Sequence, residues 1–246
     1  MSERLAELIR ENQPCVALTG AGVSTESGIP DFRSPHGMWA EFDPHEYATL
    51  GAFLRDPEKV WRFYALRFVM LPEAEPNRAH VALAELEALG LLEAVVTQNI
   101  DLLHTRAGSS AVVEVHGSIR TSTCRDCRAR YQLEQVLALL EAGAGAPRCP
   151  ACGAVLKPDV VFFDELLPEA AIDRAYELAE GARLLLVAGS SLEVYPVAGL
   201  PGVTVASGGK VAVVNRGETS FDARAALRLD GSAGEILAAT VAALRA

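Results

Sequence analysis

Lysine is scarce in this chain: Lys59, Lys157 and Lys210 are the only three, so arginine carries most of the positive charge. That bias reads as genomic composition. The acidic excess bears more on function, since 22 basic residues against 32 acidic ones leave a formal net charge of −10. Such a field excludes a protein that holds nucleic acid by its overall charge, yet it mildly attracts basic protein segments. No uninterrupted apolar run approaches the roughly 18 residues a membrane helix needs, although hydrophobic residues make up 50% of the 246. A chain with no membrane partner follows, with core enough for a large domain and a smaller insert. Met1 to Asn12 is charged and helix-like, without the apolar core or cleavage site of a secretory signal, which predicts a cytoplasmic location. Cysteine is sparse too: of five, Cys15 stands alone in an apolar run and four form two Cys-x-x-Cys pairs. In a cytosolic chain that pattern favours metal over disulfides.

Apolar runs at Cys15–Leu18, Val95–Thr97, Val112–Val115, Val160–Phe163, Leu184–Ala188 and Val211–Val214 read as strands. Helical spacing precedes the first run at Leu5, Leu8 and Ile9. It recurs from Val81 to Leu89, where Asn77 is placed to cap and Gly90 to stop the helix, and again over Pro168–Glu180 and Gly234–Leu244. Strands alternating with helices predict an α/β fold with a mainly parallel, doubly wound sheet. Two stretches break the alternation: Ser34–Pro76, with helical spacing and no convincing strand, and Arg120–Leu156, which holds all four paired cysteines. Both are expected to leave the sheet and form a smaller lobe.

Chemistry concentrates where the predicted strands end. Gln98, Asn99 and Asp101 follow one, and His116-Gly117 follows the next. In an open α/β sheet such ends are where ligands bind. The first strand runs into Gly20-Ala21-Gly22-Val23-Ser24, the start of a dinucleotide fingerprint whose third glycine is replaced by Thr25. Its amides are candidates to hold a pyrophosphate that Arg33, in Gly28-Ile29-Pro30-Asp31-Phe32-Arg33, would neutralise. Gly189-Ser190-Ser191 offers a second small-residue turn, and Asn215 offers an amide to a ribose. Cys124-x-x-Cys127 and Cys149-x-x-Cys152, 21 residues apart, suit a closed four-thiolate zinc site, with Pro150 and Gly153 fitting tight turns. Redox thiols or an iron–sulfur cluster are the alternatives, though redox motifs seldom come as two matched pairs. A site with four protein ligands leaves no position for chemistry at the metal.

Taken in order, these segments resemble the sirtuins, the NAD-dependent protein-lysine deacylases. The match runs through Gly20–Ser24, Gly28–Arg33, Thr97–Asp101, His116-Gly117, the four cysteines, Val160–Phe163, Gly189-Ser190-Ser191-Leu192 and Val214-Asn215. The resemblance implies a Rossmann-like NAD-binding domain over 1–33, 77–119 and 157–246. It also implies a small lobe made of a helical insert (34–76) and a module (120–156) holding one structural zinc ion through Cys124, Cys127, Cys149 and Cys152. His116 would be the general base, since an imidazole titrates near working pH. Asn99 and Asp101 would organise the nicotinamide ribose, and Gln98 would contact ribose hydroxyls. NAD contacts are further implied for Gly20, Ala21, Gly22, Ser24, Asp31, Phe32, Arg33, Trp39, Ile100, Gly189, Ser190, Ser191, Asn215, Arg216, Gly217 and Ala233. The Val160, Val161, Phe162 and Phe163 strand would add the substrate peptide as a further strand. Partners would be acylated lysines of proteins, met by a monomer; products would be free lysine, nicotinamide and O-acyl-ADP-ribose.

Tyr64 and Arg67, at i and i+3 on a helix, resemble the signature of the sirtuin branch that removes succinyl and malonyl groups. Ala48 falls where that branch keeps its acyl pocket wide. Arg67 would bind the distal carboxylate and Tyr64 would add a hydroxyl donor. Three positions depart from the pattern: Asp31 follows the general family form, Asp164 replaces a common glycine, and Lys157 stands where arginine is frequent. Mono-ADP-ribosyl transfer needs no additional residues and stays open as an alternative, as does a non-enzymatic NAD-sensing or zinc interaction module.

Overall fold

A computed structural model describes residues 2–143 and 145–245. Met1, Ala144 and Ala246, expected in the first helix, the Gly/Ala loop of the cysteine segment and the end of the large domain, lie outside the described residues. The strands in chain order are β1 (Cys15–Thr19), β2 (Ala94–Thr97), β3 (Val112–Glu114), β4 (Gly117–Cys124), β5 (Arg130–Gln132), β6 (Leu156–Val160), β7 (Leu184–Ala188), β8 (Lys210–Asn215) and β9 (Leu227–Asp230). Six of them form one sheet in the order β3-β2-β1-β7-β8-β9, with every pairing parallel. β5, β4 and β6 form a separate antiparallel sheet. The α/β, doubly wound class expected from the alternation is the one observed. β9 and the helix Leu200–Ala206 are additions to it.

Alternation along the central strands shows why helices cover both faces. Cys15, Ala17, Leu184, Leu186, Ala212 and Val214 pack with Leu5, Ile9, Leu83, Leu86, Leu237 and Val241 from helices Ser2–Glu11, Arg78–Ala88 and Ala233–Arg245. The intervening Val16, Leu18, Leu185, Val187, Val211 and Val213 pack with Ala175, Leu178, Ala179 and Leu200 on the other side. Each fully buried Leu or Val contributes about 1.5–3 kcal/mol, so a continuous apolar run with two covered faces is what a central parallel strand requires. Asn77 caps Arg78–Ala88 through its side chain and Gly90 turns the chain at φ +70, as the sequence signals.

A third apolar cluster joins helix Pro57–Glu73 to the antiparallel sheet. Trp61, Phe68, Ile119, Leu156 and Phe162 are buried in it, and the Trp61 indole donates to the Leu156 carbonyl at 2.6 Å. β4 and β6 run across positions 119/120 and 156/157, so the chain passes between the two parts within continuous strands. The strand expected over Val160–Phe163 ends at Val160. Beyond it Val161 N–H donates to the His116 carbonyl and Phe163 N–H to the Ala48 carbonyl, at 2.8 Å each. Leu50 N–H also donates to the Phe163 carbonyl at 3.0 Å, so an isolated parallel bridge to Thr49 and one bond to His116 pin this stretch without a continued ladder.

Candidate active site

Strand order reverses between β1 and β7, so the crevice of the large sheet opens beyond their carboxyl ends. Gly20 follows β1 and Gly189 follows β7, and they meet there: the Gly22 amide donates to the Gly189 carbonyl at 2.9 Å. A Cβ on Gly22 would lie 2.9 Å from that oxygen, and Gly189 sits at φ +61, so glycine is needed at both positions. A cleft of about 480 Å³ occupies the crevice and extends to the small sheet. Lining it are Gly20, Ala21, Gly22, Ser24, Asp31, Phe32, Arg33, Trp39, Ala48, Tyr64, Arg67, Gln98, Asn99, Ile100, Asp101, His116, Val160–Phe163, Gly189–Ser191, Asn215 and Arg216.

Two residues expected to contact NAD are not among those that line the cleft. Gly217, at φ +77, donates its amide to Asp230 outside the cleft lining, and Ala233 is buried at the start of the last helix. Several amides of the glycine turn are already engaged within the protein. Its Gly20, Gly22 and Val23 amides already serve the carbonyls of Ala188, Gly189 and Gly20. Ala21–Ser27 is a 3₁₀ turn rather than an α-helix, leaving fewer amides for an anion than a dinucleotide fingerprint would offer. Arg33, expected to neutralise a pyrophosphate, pairs with Glu193 at 2.9 Å across the mouth.

His116 Nδ1 lies 3.1 Å from the Gln98 carbonyl oxygen. A carbonyl only accepts, so Nδ1 carries the proton and Nε2 keeps a free lone pair. Burial lowers the imidazole's basicity, partly opposed by that same hydrogen bond. Gly117 lets the chain turn at φ +69, and a Cβ there would overlap the Asp159 carbonyl. Ser24 Oγ ties the next group together, donating to Asp101 Oδ2 at 2.7 Å and accepting from Asn99 Nδ2 at 3.0 Å. The other Asp101 oxygen accepts the Leu103 amide at 3.0 Å. Gln98 Nε2 reaches Ser190 Oγ at 3.0 Å, joining the loops after β2 and β7.

Arg67 is 4% exposed, yet no carboxylate among the described residues pairs with it. Its guanidinium lies 5.0 Å from the Phe32 ring centre and contacts Met38 Sδ. Burial lowers its pKa, and the nearby Tyr64 and Asp101 only partly offset this. Burial likewise raises the Tyr64 phenol. Desolvating a charge without a counter-ion is costly, so this guanidinium is poised to receive an anion from the cleft. Lys157 Nζ meets Glu165 and the Val160 carbonyl at 2.9 Å each and sits 4.1 Å from the Phe162 ring centre. Glu165 in turn accepts the Phe162 amide at 2.8 Å. Asp164, where glycine was the expected residue, adopts φ +68.

Three polar residues behind the cleft escaped the sequence reading, Thr19, His80 and His104, and Thr97 was read only as the end of a strand and the start of a motif; all four are buried. Their only signal was polarity within otherwise apolar segments. At the rim, Glu193, Val194, Tyr195 and Glu218 also line the cleft without a motif to announce them.

The four paired cysteines place their sulfurs within 4.8 Å of one another, with Cys124–Cys152 and Cys127–Cys149 separations of 3.4 and 3.5 Å. Zinc–sulfur bonds of about 2.3 Å in a tetrahedron put sulfurs roughly 3.8 Å apart, so the set fits that ion. The two pairs fold alike. The Cys124 and Cys149 amides donate to Ala129 and Ala154, and Arg128 and Gly153 occupy matching positive-φ positions.

A parallel sheet with convergent polar groups at its switch point, beside a four-thiolate lobe, defines a nucleotide-binding α/β enzyme. The family model described as "Sir2 family" matches residues 20–196. NAD-dependent protein deacylase 1 of Archaeoglobus fulgidus is 44% identical over 96% of this chain and 95% of that protein. The NAD-dependent protein deacetylase of Thermotoga maritima is 46% identical over 90% of this chain and 89% of its own length. A solved complex named "Sir2-p53 peptide-NAD+" superposes with a TM-score of 0.89 at 43% identity, covering 96% of this chain and 95% of that one. The chain belongs to the Sir2 family, and the sirtuin resemblance is borne out.

Proposed function

We propose that the protein is an NAD-dependent protein-lysine deacylase that accepts acyl groups ending in a carboxylate, succinyl or malonyl, as well as acetyl. The observation that carries the reaction is His116, held as a base whose free Nε2 is set by the Nδ1 bond to Gln98. NAD supplies an activated ribose carbon from which nicotinamide departs when the acyl oxygen attacks. Asn99, Asp101 and Ser24 form one hydrogen-bonded unit that would hold and orient the ribose. His116 would take the proton of a ribose hydroxyl, so that this oxygen can attack the acyl carbon. Phe162 and Phe163 would shield the reacting groups from water, and the chain around them would receive the substrate backbone. Four cysteines would hold one zinc ion that stabilises the lobe without joining the chemistry.

Support for the carboxylate-bearing acyl group comes from Arg67, a buried cation without a counter-ion among the described residues, lining the same cleft as Tyr64 and the small Ala48. On this reading the protein works as a cytoplasmic monomer, a state that sedimentation tests. Incubation with NAD and acetyl- or succinyl-lysine peptides should release nicotinamide only when both are present. His116→Ala should abolish that release while the protein stays folded. Near-normal turnover in the variant would remove His116 from the mechanism, and a product mass showing ADP-ribosylated protein would replace deacylation by ADP-ribosyl transfer.

A further inference from the structure

His104 is 2% exposed in the short helix Leu103–Arg106 and lines no part of the cleft. Its Nε2 lies 2.9 Å from Thr19 Oγ1, and the Thr19 hydroxyl donates to Thr97 Oγ1, also at 2.9 Å. The Thr19 hydrogen being so engaged, His104 Nε2 must donate to Thr19. Nδ1, which has no partner among the described residues, is then the bare nitrogen. Thr97 Oγ1 also accepts the backbone amide of Asn99 at 3.1 Å. Donors thus converge on Thr97 Oγ1 from both sides, linking the His104 ring through two hydroxyls to the residue at the centre of the cleft.

A second contact leads to the same place. The His104 ring meets His80 edge-on at 4.8 Å between centres. His80 Nδ1 accepts the Asn77 amide at 3.2 Å, which leaves its proton on Nε2, facing Ser24 Oγ at 3.4 Å. Ser24 is the hydroxyl that joins Asp101 to the Asn99 side chain. His104 therefore backs Asn99 twice, at its amide through the threonines and at its side chain through His80 and Ser24.

We propose that His104 is a positioning residue: its Nε2–H, acting through Thr19 and Thr97, fixes the Gln98–Asp101 loop in the geometry that holds NAD. The proposal rests on the deacylase reading for the identity of the ligand. A phenyl ring would fill the same space against His80 but could not donate to Thr19. A glutamine offers a comparable donor on a chain of similar reach. The role is therefore separable from packing.

Calorimetric NAD affinity and the Michaelis constants of His104→Phe, His104→Gln and Thr97→Val test this. Misplacing a ligand-holding loop by a fraction of an ångström should weaken NAD binding about tenfold in His104→Phe, with the KM for acetyl-peptide moving less than about twofold. His104→Gln should recover most of the affinity. Thr97→Val breaks the same chain, so adding it to His104→Phe should cost no more than the worse single change. Wild-type NAD affinity in His104→Phe would overturn the proposal, as would equal weakening in the Phe and Gln variants. So would a double variant whose loss is the product of the single ones. If His104→Phe does not fold, Thr19→Val removes the relay oxygen with the imidazole in place, and unchanged NAD affinity there is equally decisive against it. A wild type that binds NAD yet never releases nicotinamide with acyl-peptide would refute the deacylase reading, while the binding arms still decide the part played by His104.

Discussion

Replacing Arg67 by methionine keeps a side chain of similar length in the small-lobe core and removes the buried cation. Among the described residues the guanidinium has no carboxylate partner to leave stranded, so the change orphans no second charge there. Its loss from the aromatic side is small, since its face-on neighbour Phe32 lies 5.0 Å away and such contacts contribute roughly 0.5–2 kcal/mol. A hydrogen bond from a charged donor to an acyl carboxylate contributes about 1.5–3 kcal/mol. At about 1.4 kcal/mol per tenfold, desuccinylation should therefore lose roughly 10- to 150-fold in kcat/KM. Deacetylation makes no such bond and should change by less than about tenfold, the ceiling set by the under about 1.5 kcal/mol of a volume-conserving core swap. The assay is nicotinamide release from matched acetyl and succinyl peptides at saturating NAD. Arg67→Lys separates charge from geometry, because an ammonium retains attraction without the planar fork. It should fall between wild type and Arg67→Met on the succinyl peptide. Equal losses on both peptides in Arg67→Met would refute the carboxylate reading and leave Arg67 a structural cation.

The purified protein should contain one zinc per chain. Because structural zinc in isolated fingers is worth roughly 10–16 kcal/mol, chelation should lower the melting temperature sharply; a metal-free protein with unchanged melting would refute the assignment. Burial holds His80 near pKa 4 and His104 near 3, both below the unfolded value of 6.5. The unfolded chain therefore binds protons first, and the stability contributed by these neutral rings, complete above pH 6.5, is lost as pH falls towards the folded values. Each ring adds a slope of up to about 1.36 kcal/mol per pH unit. Urea midpoints between pH 7.5 and 5 should drop accordingly and drop less in His104→Gln; an identical slope in that variant would contradict the assignment. Lys157→Met should raise the KM for peptide about tenfold by freeing the Phe162–Glu165 turn, leave NAD affinity alone, and be largely rescued by Lys157→Arg. A rise in the NAD constant instead would show that the lysine supports the other half of the cleft.

What was legible in the chain was whatever repeats a pattern or carries its own chemistry. β1, β7 and β8 are apolar on both faces because helices cover both, and an unbroken Leu/Val run announces that. β9 was missed because only Leu227 and Leu229 face inward at a sheet edge, while Arg228 and Asp230 bind the turn at Gly217. The end of β6 was misread because Val160–Phe163 has strand composition, but its bonds go to Ala48 and His116, distant segments no local pattern reveals. The cleft shows the same division. His116, Gln98 and Asn99 stand at strand ends where a ligand is expected, whereas His104 lies behind a leucine in a short helix and reads as an ordinary core residue. Its part in the site depends on Thr19 meeting Thr97 across two paired strands, a register set by the folded sheet. Residues that touch a ligand can thus be read from their own position, but those that hold them in place can be read only from the hydrogen bonds between them.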